Sequence, residues 1–98
     1  MLESGYQAKL IKKLRRLFPD GFVLKNDTSY IQGLPDLLIL EGRLWGALEV
    51  KRSEDEPMQP NQEYYVARMN ELAYASFIYP EIEELVLNEL QAALRPRR

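Results

Sequence analysis

Apolar residues recur along this chain with two different periods, and the change of period marks out its elements. Tyr6, Leu10, Leu14, Leu17 and Phe18 return at intervals of three and four, which predicts a helix over residues 4–18 with one buried stripe. Ser4 with Gln7 three residues later fits a capping box at its start. Pro19-Asp20-Gly21 ends the helix, and Phe22-Val23-Leu24 opens a short strand. Leu37-Leu38-Ile39-Leu40 and Leu44-Trp45-Gly46-Ala47-Leu48 are short apolar runs bounded by Gly or charge, which favours strands. A second helix is predicted from Pro60 to about residue 75, with Tyr65, Met69, Leu72 and Ala73 as its stripe. Ser76-Phe77-Ile78-Tyr79 reads as a fourth strand. Pro80 then opens a last helix carrying Ile82, Leu85, Val86, Leu90 and Leu94 inward and Glu81, Glu83 and Glu84 in its first turn. The order helix, three strands, helix, strand, helix predicts an α/β sandwich around a small mixed sheet flanked by helices.

The two central runs are joined by Glu41-Gly42-Arg43. With Gly42-Arg43 as the central pair of a tight hairpin, the Gly-x order suits a type II′ turn. Glu41 then faces Leu44, Leu40 faces Trp45, Leu38 faces Ala47, and Asp36 lands opposite Glu49. Because strand side chains alternate, Asp36, Glu49 and Lys51 share one face, while Leu37, Ile39, Leu48 and Val50 share the other. Two carboxylates roughly 5 Å apart at Cβ repel, and burial worsens the repulsion. A divalent cation supplies the missing charge, and Mg²⁺ typically takes one or two protein carboxylates with water and phosphate. A lysine two residues beyond one carboxylate suits orienting or deprotonating water, or neutralising a phosphate.

Composition narrows the chemistry. At 98 residues, 46% hydrophobic and 29% charged, the chain predicts one globular domain over residues 1–98, near the size where a partner subunit helps. No apolar run is long enough to cross a bilayer and no basic-then-apolar leader is present, so a cytoplasmic location without membrane contact is the expectation. The chain has no Cys and no His, which excludes thiolate and imidazole chemistry and makes any metal site oxygen-only, favouring Mg²⁺ or Mn²⁺. The net charge is −2, but residues 1–53 hold nine Lys/Arg against six Asp/Glu, and residues 54–98 four against nine. Positive charge is therefore expected near Asp36 and Glu49.

Pro35-Asp36 followed by Glu49-Val50-Lys51 resembles the PD-(D/E)xK nuclease superfamily. The wider string Gly33-Leu34-Pro35-Asp36-Leu37-Leu38, then Glu49-Val50-Lys51, then Gln59-Pro60 and Gln62, resembles its virus-type replication-repair nuclease (VRR-Nuc) branch over nearly the whole chain. That resemblance implies a restriction-endonuclease-like fold and metal-dependent hydrolysis of DNA phosphodiesters. Asp36 and Glu49 would bind Mg²⁺, the Val50 carbonyl would complete the shell, and Lys51 with Gln62 would prepare the attacking water. Gln62 also has a plainer reading, as a core amide satisfying backbone groups. Glu3 either complements the dipole of the first helix or, as in many relatives, joins the metal site as a third acid. The virus-type branch also brings a virus-encoded source into view.

Further residues read as candidate DNA contacts. Lys9, Lys12, Lys13, Arg15 and Arg16 form a run of one sign with no acid between, which suits phosphate better than it suits a solvated face. Tyr30 and Gln32 lie in the polar loop over residues 28–33 that leads into Asp36, with Lys25 just before it; all three read as substrate contacts, Tyr30 equally as a cover for the sheet edge, and Gly33 gives backbone freedom. Arg52 projects opposite Lys51, and Tyr64 and Arg68 sit one turn apart on the second helix. The acids Glu54, Asp55 and Glu56 read as a solvated loop, and residues 95–98 as a mobile basic tail. One small domain without a base-reading module predicts selectivity for DNA shape, such as a Holliday junction or flap, and symmetric cutting of a junction calls for a homodimer. The alternatives are a nuclease of DNA ends or linear duplex within a larger complex, and a catalytically silent nucleic-acid-binding module.

Overall fold

The structure is a computed structural model that describes residues 3–27 and 29–95, the first two of these by backbone alone. Its elements follow in the expected order: α1 (Glu3–Leu17), β1 (Phe22–Lys25), β2 (Leu37–Glu41), β3 (Leu44–Val50), α2 (Pro60–Leu72), β4 (Tyr74–Ile78), a 3₁₀ turn (Pro80–Ile82) and α3 (Glu83–Leu94). The sheet order is β1-β2-β3-β4, antiparallel through β3 and parallel between β3 and β4. The result is a mixed α/β domain. Among the described residues, no helix is long and apolar enough to cross a membrane.

The hairpin register is the one counted from its turn, with Glu41 opposite Leu44, Leu40 opposite Trp45 and Leu38 opposite Ala47. Gly42 has φ +60° while Arg43 does not take positive φ, as a type II′ turn requires. The register splits the sheet into unlike faces. On one, Leu37, Ile39, Leu48 and Val50 pack with Tyr6, Leu10, Leu14 and Phe18 of the α1 segment and with Val86, Leu87, Leu90 and Leu94 of α3. On the other, α2 covers β3 and β4 through a smaller cluster of Ala47, Val66 and Ala75 with Leu38, Trp45, Met69 and Phe77 around it.

Two helices differ in detail from the periodicity. α2 ends at Leu72 rather than near residue 75, because residues 74–78 pair with Gly46–Val50 of β3. Val66 is its buried residue and Leu72 is 62% exposed, so the inward row runs 62, 66, 69, 73 and puts Gln62 at its head. In α3, Leu85 points outward and Leu87 takes its place in the core. In both helices two registers of apolar residues are possible, and contact with the sheet selects one.

Candidate active site

Asp36 sits one residue before β2, where the sheet's hydrogen bonds run out and side chains take over. The Asn26 N–H donates to the Asp36 carbonyl at 2.8 Å, and the Asn26 side-chain amide donates to the Pro35 carbonyl at 2.6 Å. From the other side, the Val50 N–H donates to Asp36 Oδ2 at 2.9 Å. The backbone at Asp36 is thus fixed by Asn26, next to β1, and its carboxylate is held from β3. Since the N–H and C=O of one residue in an antiparallel ladder face the same neighbour, the Val50 carbonyl also faces the Asp36 side.

Glu49, buried at 3% exposure, shares a hydrogen bond with Asp36. The expected cross-strand pair of acids is therefore present. Asp36's carboxyl is pushed above its ordinary range, first by burial; hydrogen bonds from Val50 and Glu49 oppose that, the charge of Glu56 adds to it, and the charge of Lys25 opposes it. Burial is the largest of these and sets the direction. The donor set is oxygen-only, half-buried and short of positive charge, which suits a hard divalent ion. Among the described residues no three or more acidic side chains gather to hold a metal, so the chain itself offers the two carboxylates and the Val50 carbonyl. The side chain of Glu3 lies outside the described residues.

Gln62 comes to this pair from the first turn of α2. Its Nε2 donates to Glu49 Oε2 at 2.9 Å, and its Oε1 accepts the Gln59 N–H at 3.0 Å. The amide therefore positions Glu49, whereas the resemblance implies a place beside Lys51. The plainer reading, an amide satisfying a backbone group, is met at Gln59 N–H, and the other end of the same amide holds a carboxylate. A cleft of about 450 Å³ opens over the group, lined by Gln32, Gly33, Asp36, Glu49, Asn61 and Gln62 among others. Gly33 has φ +95°, and a Cβ there would stand 2.4 Å from that of Asn61. Glycine thus lets the loop close against the start of α2, so the freedom expected of it serves a tight contact as well.

Lys51 is on the shared face but turned away from the cleft. At 1% exposure, its Nζ donates to the Pro57 carbonyl at 2.8 Å, lies 3.9 Å from Glu56 Oε2 and stands 5.4 Å over the Phe77 ring. The loop it anchors is not simply solvated. Glu56 accepts from Arg52 N and Nε at 2.8 and 3.3 Å and its charge reaches Asp36, while Glu54 and Asp55 are exposed. Glu56, expected in a solvated loop, is instead fixed by Arg52, and Asn26, ten residues ahead of Asp36, carries no sequence signal that ties it to the site.

The remaining candidates divide. Gln32 lines the cleft, exposed Lys25 lies within electrostatic reach of Asp36, and Tyr30 is 80% exposed on the approach loop. Arg52 is paired with Glu56 and Arg68 with Glu71. Lys9, Lys12, Lys13 and Arg16 line a different cavity beside Pro80 and Glu83, and among the described residues no Lys or Arg lines the acidic cleft. The expected gathering of positive charge around Asp36 is not what the packing produces, because α1 buries its stripe on the opposite face of the sheet. Residues 96–98 of the basic tail lie outside the described residues. Compared with known proteins, the chain matches no family model, no curated protein and no solved structure.

Proposed function

We propose that this chain is a metal-dependent nuclease of the PD-(D/E)xK type, with a restriction-endonuclease-like domain that hydrolyses DNA phosphodiesters and prefers branched DNA. The observation that carries this reading is the contact of Asp36 and Glu49 across the β2–β3 hairpin at the mouth of an open cleft. A buried acid beside a half-buried one at an open cleft is an arrangement that a hard divalent cation would stabilise by neutralising both. Mg²⁺ or Mn²⁺ held by Asp36, Glu49 and the Val50 carbonyl would supply charge for the phosphate and lower the pKa of a water. Gln62 keeps Glu49 aimed at the cleft, and the bond from Val50 N–H keeps Asp36 beside it. Lys51 serves the reaction by exchanging the Pro57 carbonyl for a phosphate oxygen, a stronger, charge-assisted acceptor. Lys25 and Gln32 meet the substrate backbone at the rim. Two such sites in a homodimer would cut a junction symmetrically.

The placement of Lys51 also favours a second reading, in which the lysine is a structural strap and the chain binds DNA without cutting it. A cleavage assay with Mg²⁺ on a four-way junction, a flap and a linear duplex decides between them, run with wild type and Lys51→Ala. Cutting of the junction that is lost in Lys51→Ala supports the nuclease; no cutting of any substrate supports the binding module. Equal cutting by both proteins overturns the role of Lys51, and cutting of linear duplex alone overturns the preference for branches.

A further inference from the structure

We propose that the groove between α1 and the 3₁₀ turn that opens α3 is a second track for the DNA backbone, holding an arm of the substrate other than the one being cut. This rests on the reading of DNA as substrate, but not on cleavage. The groove is a cavity of about 450 Å³ lined by Lys9, Lys12, Lys13 and Arg16 of α1, closed by Tyr6, Pro80 and Glu83. The one acid among its described lining residues is already engaged: Glu83 accepts the Tyr6 hydroxyl at 2.9 Å and pairs with Lys13. Lys9, Lys12 and Arg16 are exposed and form no ion pair among the described residues.

Positions 9, 12 and 16 make one row spanning about 10 Å at 1.5 Å per residue. A DNA strand advances about 3.4 Å per phosphate, so the row faces about three phosphates. Lys12 and Arg16 are like charges at i,i+4, and Lys9 and Lys12 at i,i+3, spacings that destabilise a helix until an anion neutralises them. The apolar stripe of α1 is spent on the core, which leaves no apolar face for a lipid surface and favours a hydrated polyanion. Pro80 follows β4, whose end runs parallel to the end of β3 that carries Glu49. The groove and the acidic cleft therefore lie at one end of the sheet on opposite faces. A linear duplex in the cleft stays on the α2 side; a second arm leaving a branch point can pass round that end to α1.

The test is fluorescence anisotropy of a labelled four-way junction and of a linear duplex, in EDTA so that nothing is cut, across a salt series. The triple variant Lys9→Gln/Lys12→Gln/Arg16→Gln is compared with wild type, and Arg43→Gln, at the hairpin turn and outside every candidate contact, controls for surface charge. All substituted residues are exposed, and thermal melting checks the fold. The triple variant should bind the junction at least tenfold more weakly, with a larger loss than on duplex. Its salt slope on the junction should be lower by about 2–3, while the control changes affinity by less than twofold. Unchanged junction affinity, equal loss on both DNAs, an equal loss in the control, or tighter binding to anionic vesicles than to the junction overturns the proposal. Wild type that binds as described but never cuts with Mg²⁺ leaves the track standing and removes the nuclease.

Discussion

The two faces of the sheet solve opposite problems. Under α1 and α3, the sheet presents Leu37, Ile39, Leu48 and Val50 to a continuous hydrocarbon core, and the charge on α1 stays outside. Under α2 the apolar cluster is small, and the same strands present Asp36, Glu49 and Lys51, the last two buried. One residue of register separates the faces, since strand side chains alternate. The stabilising burial is concentrated on one side, and that leaves the other free to hold charges that cost stability. Chemistry should therefore be separable from folding on the α2 face.

The sharpest way to break that separation is to neutralise an acid. Asp36→Asn or Glu49→Gln should reduce Mg²⁺-dependent cleavage by about a thousandfold, several kcal/mol of transition-state stabilisation. The same variants, studied without metal, should melt at a higher temperature than wild type, because a neutral amide at either position relieves the repulsion while its oxygen still accepts a hydrogen bond. A lower melting temperature would mean that the pair is a structural bond, and the contrast between the faces would fail. Lys51→Met comes next. It keeps the buried volume and loses the ammonium, so a strap costs only stability while a phosphate ligand costs roughly a hundredfold in cleavage. Single-turnover cleavage and chemical denaturation on the same samples separate the two losses.

Gly33→Ala tests the wall of the cleft rather than its chemistry. A side chain at φ +95° costs about 1–2 kcal/mol, and contact with Asn61 adds to it. Urea denaturation should show that loss, and the loop should withdraw from α2, weakening cleavage as well. A variant as stable as wild type would show that the loop does not rest on α2.

Much of this was legible in the chain because local rules agree with the fold there. Gly42-Arg43 dictates a turn, the turn dictates the register, and the register delivers Asp36 to Glu49. The same count placed Leu37 and Ile39 opposite those acids, and α1 has to cover the apolar side. The basic row's absence from the cleft thus followed from the pattern, although total charge along the sequence pointed elsewhere. Charge counted along a chain ignores which face a helix buries. The direction of Lys51 Nζ was not legible, because alternation sets the face of a long side chain and leaves its flexible stem free to reach Pro57. Nor was the fixed state of Glu56, whose partner Arg52 lies across a loop without period.

The smallest expected effect belongs to the α1–α3 face and concerns pH. Burial works to raise the carboxyl of Glu83, but hydrogen bonds from Lys13 and Tyr6, with the Lys13 charge, outweigh it and hold the group below its ordinary value of 4.5. A depressed carboxylate stabilises the fold fully above its unfolded pKa, and the contribution is lost as pH falls through the folded one. The loss therefore comes on acidification below about 4.5. Lys13 is half-exposed, its side chain at 45%, so the pair is worth about 0.5–1 kcal/mol. Lys13→Met should lower stability by that amount at pH 7 and by less at pH 3, measured by urea denaturation at both. An equal loss at both values would assign the effect to packing of the lysine stem. The groove beside it would then keep its one acid un-neutralised and hold DNA less well than the row of Lys9, Lys12 and Arg16 suggests.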